Sequence, residues 1–199
     1  MPIFDIDYKI AYFSNFLLNK VGVILTPILK FITTLGNYGF IFIFISIIML
    51  LFKNTRKAGI NALIAMFIGI IIVFLLKNVI RRDRPFVDVY SDFNLWWKAS
   101  GSIRESGFSF PSGHTTSSMA FAFVLFISFD KKYSWLFLFI PLLMGFSRIY
   151  FMLHYFTDVI GGIIIGIISA IIAIVLFKLL LKINFINKIY SLPSIVKRK

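Results

Sequence analysis

The chain has 199 residues, 59% of them hydrophobic, and carries a formal net charge of +13. Soluble domains are typically only about 45–50% apolar, so this composition describes a polytopic membrane protein. Cysteine is absent and acidic residues number only 8, which excludes disulfides and thiolate metal sites and argues against a carboxylate-rich metal cage.

The positive charge does not indicate nucleic acid. The basic residues sit in short loops and at the C-terminal end, where membrane proteins carry them to set orientation. Residues 1–9 contain Asp5 and Asp7 and no basic start, so they do not read as a cleaved signal peptide.

In chain order, residues 4–18 and 21–35 are apolar but broken by Asn15, Asn19, Lys20, Pro27 and Lys30. They read either as one poor spanning helix or as two short helices lying in the interface, and the interruptions favour the second. Five clear spans follow at 38–52, 58–80, 112–129, 133–149 and 156–181. The first and fourth fall short of the ~20 residues a full crossing needs. Helices are the economical choice because lipid cannot satisfy backbone polar groups, and the alternation of a β-barrel is absent. The expected fold is an all-α polytopic membrane helix bundle in a single domain. Its parts are an N-terminal region (1–36), a helical core (38–181) and a basic cytoplasmic tail (182–199). Gly162 and Gly166 on the last span fit the spacing of a close helix–helix contact, with Gly161 beside them.

Short-loop cations set the orientation. Lys53, Arg56 and Lys57, then Lys131 and Lys132, then the cations from Lys178 onward all fall on one side if each clear span crosses once. That side is cytoplasmic by the positive-inside tendency. The opposite side receives the long 81–110 loop and the short 148–156 turn. Arg81, Arg82, Arg84, Lys98 and Arg104 stand there against the tendency, only partly offset by Asp83, Asp88, Asp92 and Glu105. A bound anion is one reason for such an excess.

Three clusters come to that side. In 77-KNVIRRDRP-85, Lys77 and Arg84 are two helical turns apart and share one face at a helix end, with Pro85 as the stop. Taken alone this also reads as a headgroup-level anchor. In 111-PSGHT-115, Ser112 and Gly113 begin a helix, and the backbone N–H groups of such an end hold anions beside His114. An ordinary N-cap with an incidental histidine is the bland alternative. In 147-SRIYFMLHYFTD-158, His154 and Asp158 are four apart and meet on a helix. An aspartate on one ring nitrogen fixes the tautomer and turns the other nitrogen outward. The chain has only 2 histidines, and both fall in these clusters. Cations, a helix start and two imidazoles are the parts for phosphoryl transfer.

The pattern Lys77-x6-Arg84-Pro85, Pro111-Ser112-Gly113-His114 and Ser147-Arg148-x5-His154-x3-Asp158 resembles the three-part signature of the type 2 phosphatidic acid phosphatase superfamily, in its membrane branch. The resemblance covers 77–158, less than half the chain. It implies that His154 is the nucleophile, that Asp158 orients it, and that His114 is the general acid and then the base. Lys77, Arg84, Arg148, Ser112 and Gly113 would hold the phosphate, the last two also through their backbone amides. It implies no metal and no cofactor. The substrate would be a membrane lipid phosphate or pyrophosphate, met in the bilayer of a bacterial cell membrane at its extracytoplasmic face. Length and the compact opening region resemble the small undecaprenyl pyrophosphate phosphatases. Phosphatidylglycerophosphate or lipid A phosphatases, or a lipid phosphotransferase using the same histidine, stay open as alternatives. A transporter is disfavoured because the spans carry almost no charge between their ends. The loop 93-FNLWWK-98 reads as an interfacial aromatic anchor.

Overall fold

A computed structural model describes residues 5–183, together with 190 and 193. Most of the expected basic tail therefore lies outside the described residues. The described chain is helical, with no strand. Its helices are α1 (Asp5–Leu35), α2 (Phe40–Leu50), α3 (Lys53–Ile80), α4 (Asp92–Ser100), α5 (Gly113–Ser128), α6 (Lys131–Ser134), α7 (Phe139–Tyr150) and α8 (Phe156–Leu180).

Among the described residues, 4 helical segments are long and apolar enough to cross a membrane: α1, α3, the composite Lys131–Tyr150, and α8. The protein is thus a multi-pass membrane protein. The expected span at 38–52 is shorter than foreseen. Tyr38 and Gly39 take positive φ, so the helix begins only at Phe40 and ends at Leu50. Its 11 residues rise only about 16 Å at 1.5 Å each.

The N-terminal region differs from the favoured pair of short helices, since α1 is one continuous helix of 31 residues that contains Pro27. Asn19, Lys20 and Lys30 lie on its exposed side, so they interrupt hydrophobicity without interrupting the helix. Its side-chain bonds to the other elements reach one end of the bundle. Asp7 bonds Arg82 and Thr157, Thr26 bonds Tyr150, and Thr33 bonds Arg148. About 39 Å of helix separates Asp7 from Thr33 at 1.5 Å per residue, so α1 is draped lengthwise along that end. Helix α4 pins it there: Tyr8 donates to Asp92 at 2.7 Å, and Phe93 and Trp96 stack edgewise or tilted on Tyr8. The Trp-rich stretch is therefore internal packing as much as an anchor.

Helix α5 is the centre, packed against α3, α7 and α8. The α8 glycines permit this approach. A Cβ on Gly162 would lie 2.8 Å from the Ser112 carbonyl oxygen, and one on Gly166 would lie 2.7 Å from Met119 Cβ. The structural reading of this small-residue face holds. It has a consequence for the site, because it clamps the start of α5 onto the start of α8. Gly162→Ala forces a backbone shift there, and overpacking of this kind costs about 1–3 kcal/mol. A lowered midpoint of unfolding in detergent, with partial loss of activity, is the expected result.

Candidate active site

The three clusters converge. Lys77 is in the last turn of α3, His114 in the first turn of α5, Arg148 in the last turn of α7, and His154 in the turn that joins α7 to α8. A cavity of about 820 Å³ opens beside them, with Lys77, Gly113, His114, Arg148 and Glu105 in its wall. Arg84 and His154 are buried, at 3% and 2% exposure, and do not line the cavity; Glu105 and Arg148 of its wall lie next to Arg84.

Arg84 is not on the helix face expected for it. Arg81 takes φ +50° and ends α3 well before Pro85. Arg84 instead stands in the loop, where backbone carbonyls hold its guanidinium. Nε donates to Gly107 at 2.9 Å, Nη1 to Leu153 at 2.9 Å and Nη2 to Ser106 at 3.0 Å. Lys77 donates its ammonium to the Phe108 carbonyl. Burial pulls Arg84 down to about 10, opposed by the Asp158 charge, which leaves it cationic at neutral pH.

Arg84 Nη1 also lies 3.3 Å from His154 Nε2. A guanidinium can only donate, so Nε2 is the ring nitrogen that carries the lone pair. Its lone pair therefore faces the cationic cluster. The opposite nitrogen, Nδ1, is 3.5 Å from Asp158 Oδ2. The two residues meet as expected but by another route. His154 precedes α8, and Asp158 folds back as a capping box to take the Tyr155 N–H at 2.8 Å. Burial, then the cations Arg84, Arg148 and Lys77, hold the His154 imidazole well below its usual range.

Ser112 is the N-cap of α5, as expected, and its Oγ accepts from Thr115 N–H at 3.4 Å and from the Thr115 hydroxyl at 2.9 Å. Its backbone N–H is not available for a ligand, because it donates to the Asp158 carbonyl at 3.1 Å. His114 is set by Asn37, whose Oδ1 lies 3.2 Å from Nε2.

Sequence reasoning missed three participants. Glu105 pairs with Arg148, lies 3.4 Å from Arg84 and 4.0 Å from His114 Nδ1. Arg82 pairs with Asp158 at 2.7 Å and, on its far side, with Asp7 at 2.7 Å. No spacing signal marks Glu105 or Asp7, but the acids are few, and Asp7 inside an apolar helix was a visible anomaly.

A membrane helix bundle with two imidazoles, a carboxylate and a cationic cradle at one end defines a class, the integral-membrane phosphatases that act on lipid phosphates. Residues 58–182 match the PAP2 superfamily, and the chain belongs to it. It is similar to the undecaprenyl-diphosphatase BcrC of Bacillus subtilis strain 168, with 32% identity over 145 residues, 72% of this chain and 70% of that protein. It is also similar to phosphatidylglycerophosphatase B of the same organism, with 32% identity over 155 residues, 71% of this chain and 70% of that protein. Among solved structures it shares the fold of Aquifex aeolicus LpxE, with TM-score 0.73, 24% identity, and coverage of 87% of this chain and 97% of that one. The protein is a lipid phosphate or pyrophosphate phosphatase of this family.

Two predictions follow from the geometry. A phosphate entering the cradle must displace the Glu105 carboxylate, so Glu105→Gln should lower KM several-fold, read by steady-state phosphate release, because the competent state is no longer shared with an internal anion. The depressed His154 imidazole should stay neutral as pH falls through 6.5. Its titration in a [15N]histidine NMR spectrum of the detergent-solubilised protein should have a midpoint below the ordinary value, so protonation of this nitrogen sets in only under more acidic conditions.

Proposed function

We propose that the protein hydrolyses a polyprenyl diphosphate, undecaprenyl pyrophosphate, through a phosphohistidine on His154 and without a metal, at the extracytoplasmic face of the cell membrane. The observation that carries this reading is the position of Glu105. One carboxylate meets Arg84 and Arg148 and approaches His114, so a tetrahedral phosphate in its place meets the same three groups.

The steps follow from that placement. Lys77, Arg84 and Arg148 bind the terminal phosphoryl oxygens, helped by the Ser112 hydroxyl and the start of α5 at Gly113. Each charged hydrogen bond is worth about 1.5–3 kcal/mol. His154 Nε2 attacks phosphorus in line with the bridging oxygen. The P–N bond forms as the bond to the bridging oxygen breaks, and His114 gives that oxygen its proton. Asp158 stabilises the positive charge that develops on the ring. Water then attacks the phosphohistidine with His114 as base, the P–N bond breaks, and inorganic phosphate leaves. The cradle's equatorial cations are matched to the charge spread of the transition state.

A diphosphate is favoured over a monoester by the cations beyond the cradle. Lys30 and Arg104 share the cavity with Lys77 and Arg148, and a second phosphate group would meet them. The family relationship to an undecaprenyl-diphosphatase supports this choice. The outward placement of the site rests on the short-loop cations at 53–57 and 131–132.

The test is phosphate release from undecaprenyl pyrophosphate, undecaprenyl phosphate, phosphatidylglycerophosphate and lipid A in detergent, with EDTA present. The diphosphate should be turned over with the highest kcat/KM, and His154→Ala should abolish release. Asp158→Asn should lower kcat by about 10³–10⁴-fold, as loss of the orienting aspartate does in a triad. Near-normal release by either variant would refute the assignment, and preference for a monoester would refute the substrate.

A further inference from the structure

Asp158 does not stand alone behind His154. Its Oδ1 accepts from Arg82 Nη1 at 2.7 Å, while its Oδ2 takes the Tyr155 N–H and faces the imidazole. Arg82 is itself held on its far side: Nη2 donates to Asp7 Oδ2 at 2.7 Å. Asp7 also accepts at Oδ1 from the Thr157 N–H and at Oδ2 from the Thr157 hydroxyl, both at 2.9 Å. The guanidinium plane lies over the Tyr155 ring at 3.8 Å. Both carboxylate side chains are 0% exposed, and Arg82 is 6% exposed.

The arrangement is a buried carboxylate–guanidinium–carboxylate bridge that ends on the nucleophile's partner. An aspartate side chain has two torsions and, with one oxygen free, can rotate away from a ring 3.5 Å distant. A planar guanidinium bonded to both carboxylates fixes the plane as well as the place of the second one. Asp7 comes from α1, which precedes the residues 58–182 matched by the family. The opening helix therefore reaches into the catalytic apparatus.

We propose that Asp7 and Arg82 are positioning residues for the reaction: they lock the Asp158 carboxylate in the rotation that faces His154 Nδ1, so that the positive charge developing on the ring as Nε2 attacks meets a fixed counter-charge. Neither touches the phosphate. The inference rests on the assignment of His154 as nucleophile.

The bridge makes a prediction that a merely stabilising ion pair does not. Asp7→Asn keeps shape and removes charge. It should lower kcat by about 10-fold and Arg82→Gln by up to about 100-fold, by analogy with loss of an outer-shell partner of a metal-bound histidine. KM and the competitive inhibition constant of inorganic phosphate should stay within twofold, because Lys77, Arg84 and Arg148 are untouched. The chain has 2 histidines, so [15N]histidine NMR of the solubilised protein reads the His154 Nδ1–H directly, with His114→Gln giving the assignment. Wild type should show one sharp, downfield Nδ1–H proton at neutral pH, as a proton facing a fixed carboxylate does, and Asp7→Asn should move it upfield or broaden it while Arg84 keeps Nε2 as the acceptor. An unmoved Nδ1–H resonance, an unchanged kcat, or a KM that rises in parallel would each overturn the proposal. Should Arg82→Gln fail to fold, Asp7→Asn decides it alone. A wild-type protein that releases no phosphate from any lipid would defeat the functional assignment, whereas the Nδ1–H measurement still judges the bridge.

Discussion

Asp158 is the junction on which the site depends. Its side chain caps α8 through the Tyr155 N–H, accepts from Arg82 and faces His154, while its carbonyl takes the N–H of Ser112. Loop, α5, α8 and, through Asp7, α1 are thereby tied to one buried residue. A lone charge in that place would be expensive, because desolvation of a carboxylate costs several kcal/mol in a protein interior. Shared hydrogen bonds make the burial tolerable, and they also fix the geometry of the imidazole next to it. Stability and orientation have the same origin here.

The cations face the opposite problem. Arg84 and Arg148 are buried close to each other and to Lys77. Like charges at short range in a poorly solvated pocket repel strongly. Carbonyl oxygens of Leu153, Ser106, Gly107 and Phe108 take up many of their donors. These carbonyls satisfy hydrogen bonds but carry no net charge, so the pocket keeps a strong field for an anion.

How much of this could be read from the residues depends on the range of the contact. The signature from Lys77 to Asp158 was legible, because phosphoryl transfer restricts residue types and the chain presents them in order. The five apolar runs gave the bundle, and the glycines of α8 gave its close packing. Local geometry was less legible. Arg84 was expected on a helix that in fact ends at Ile80, and Asp158 was expected to meet His154 as helical neighbours rather than by folding back as a cap. The polar residues of α1 suggested a break because hydropathy averages over all faces, whereas a helix can place Asn19 and Lys20 outward and Asp7 inward. Glu105 and Asp7 act across long separations in sequence, and nothing in a linear pattern records a contact of that kind.

Glu105 shows how the pocket meets its own electrostatic demand. Two buried guanidiniums without an anion would leave charge uncompensated, and a single carboxylate from the 101–110 loop supplies the compensation. A carboxylate has two oxygens and one charge, whereas a terminal phosphate offers three oxygens and carries more charge. Phosphate can therefore satisfy Arg84, Arg148 and Lys77 together, which the Glu105 side chain does not do: Lys77 remains on the Phe108 carbonyl. The difference in charge and in the number of acceptors favours exchange when substrate arrives. The same argument runs in reverse after hydrolysis, because a tethered anion returns at high effective concentration as the product leaves. If the cradle is the substrate site we propose, it binds phosphate firmly enough for catalysis without becoming a trap for it.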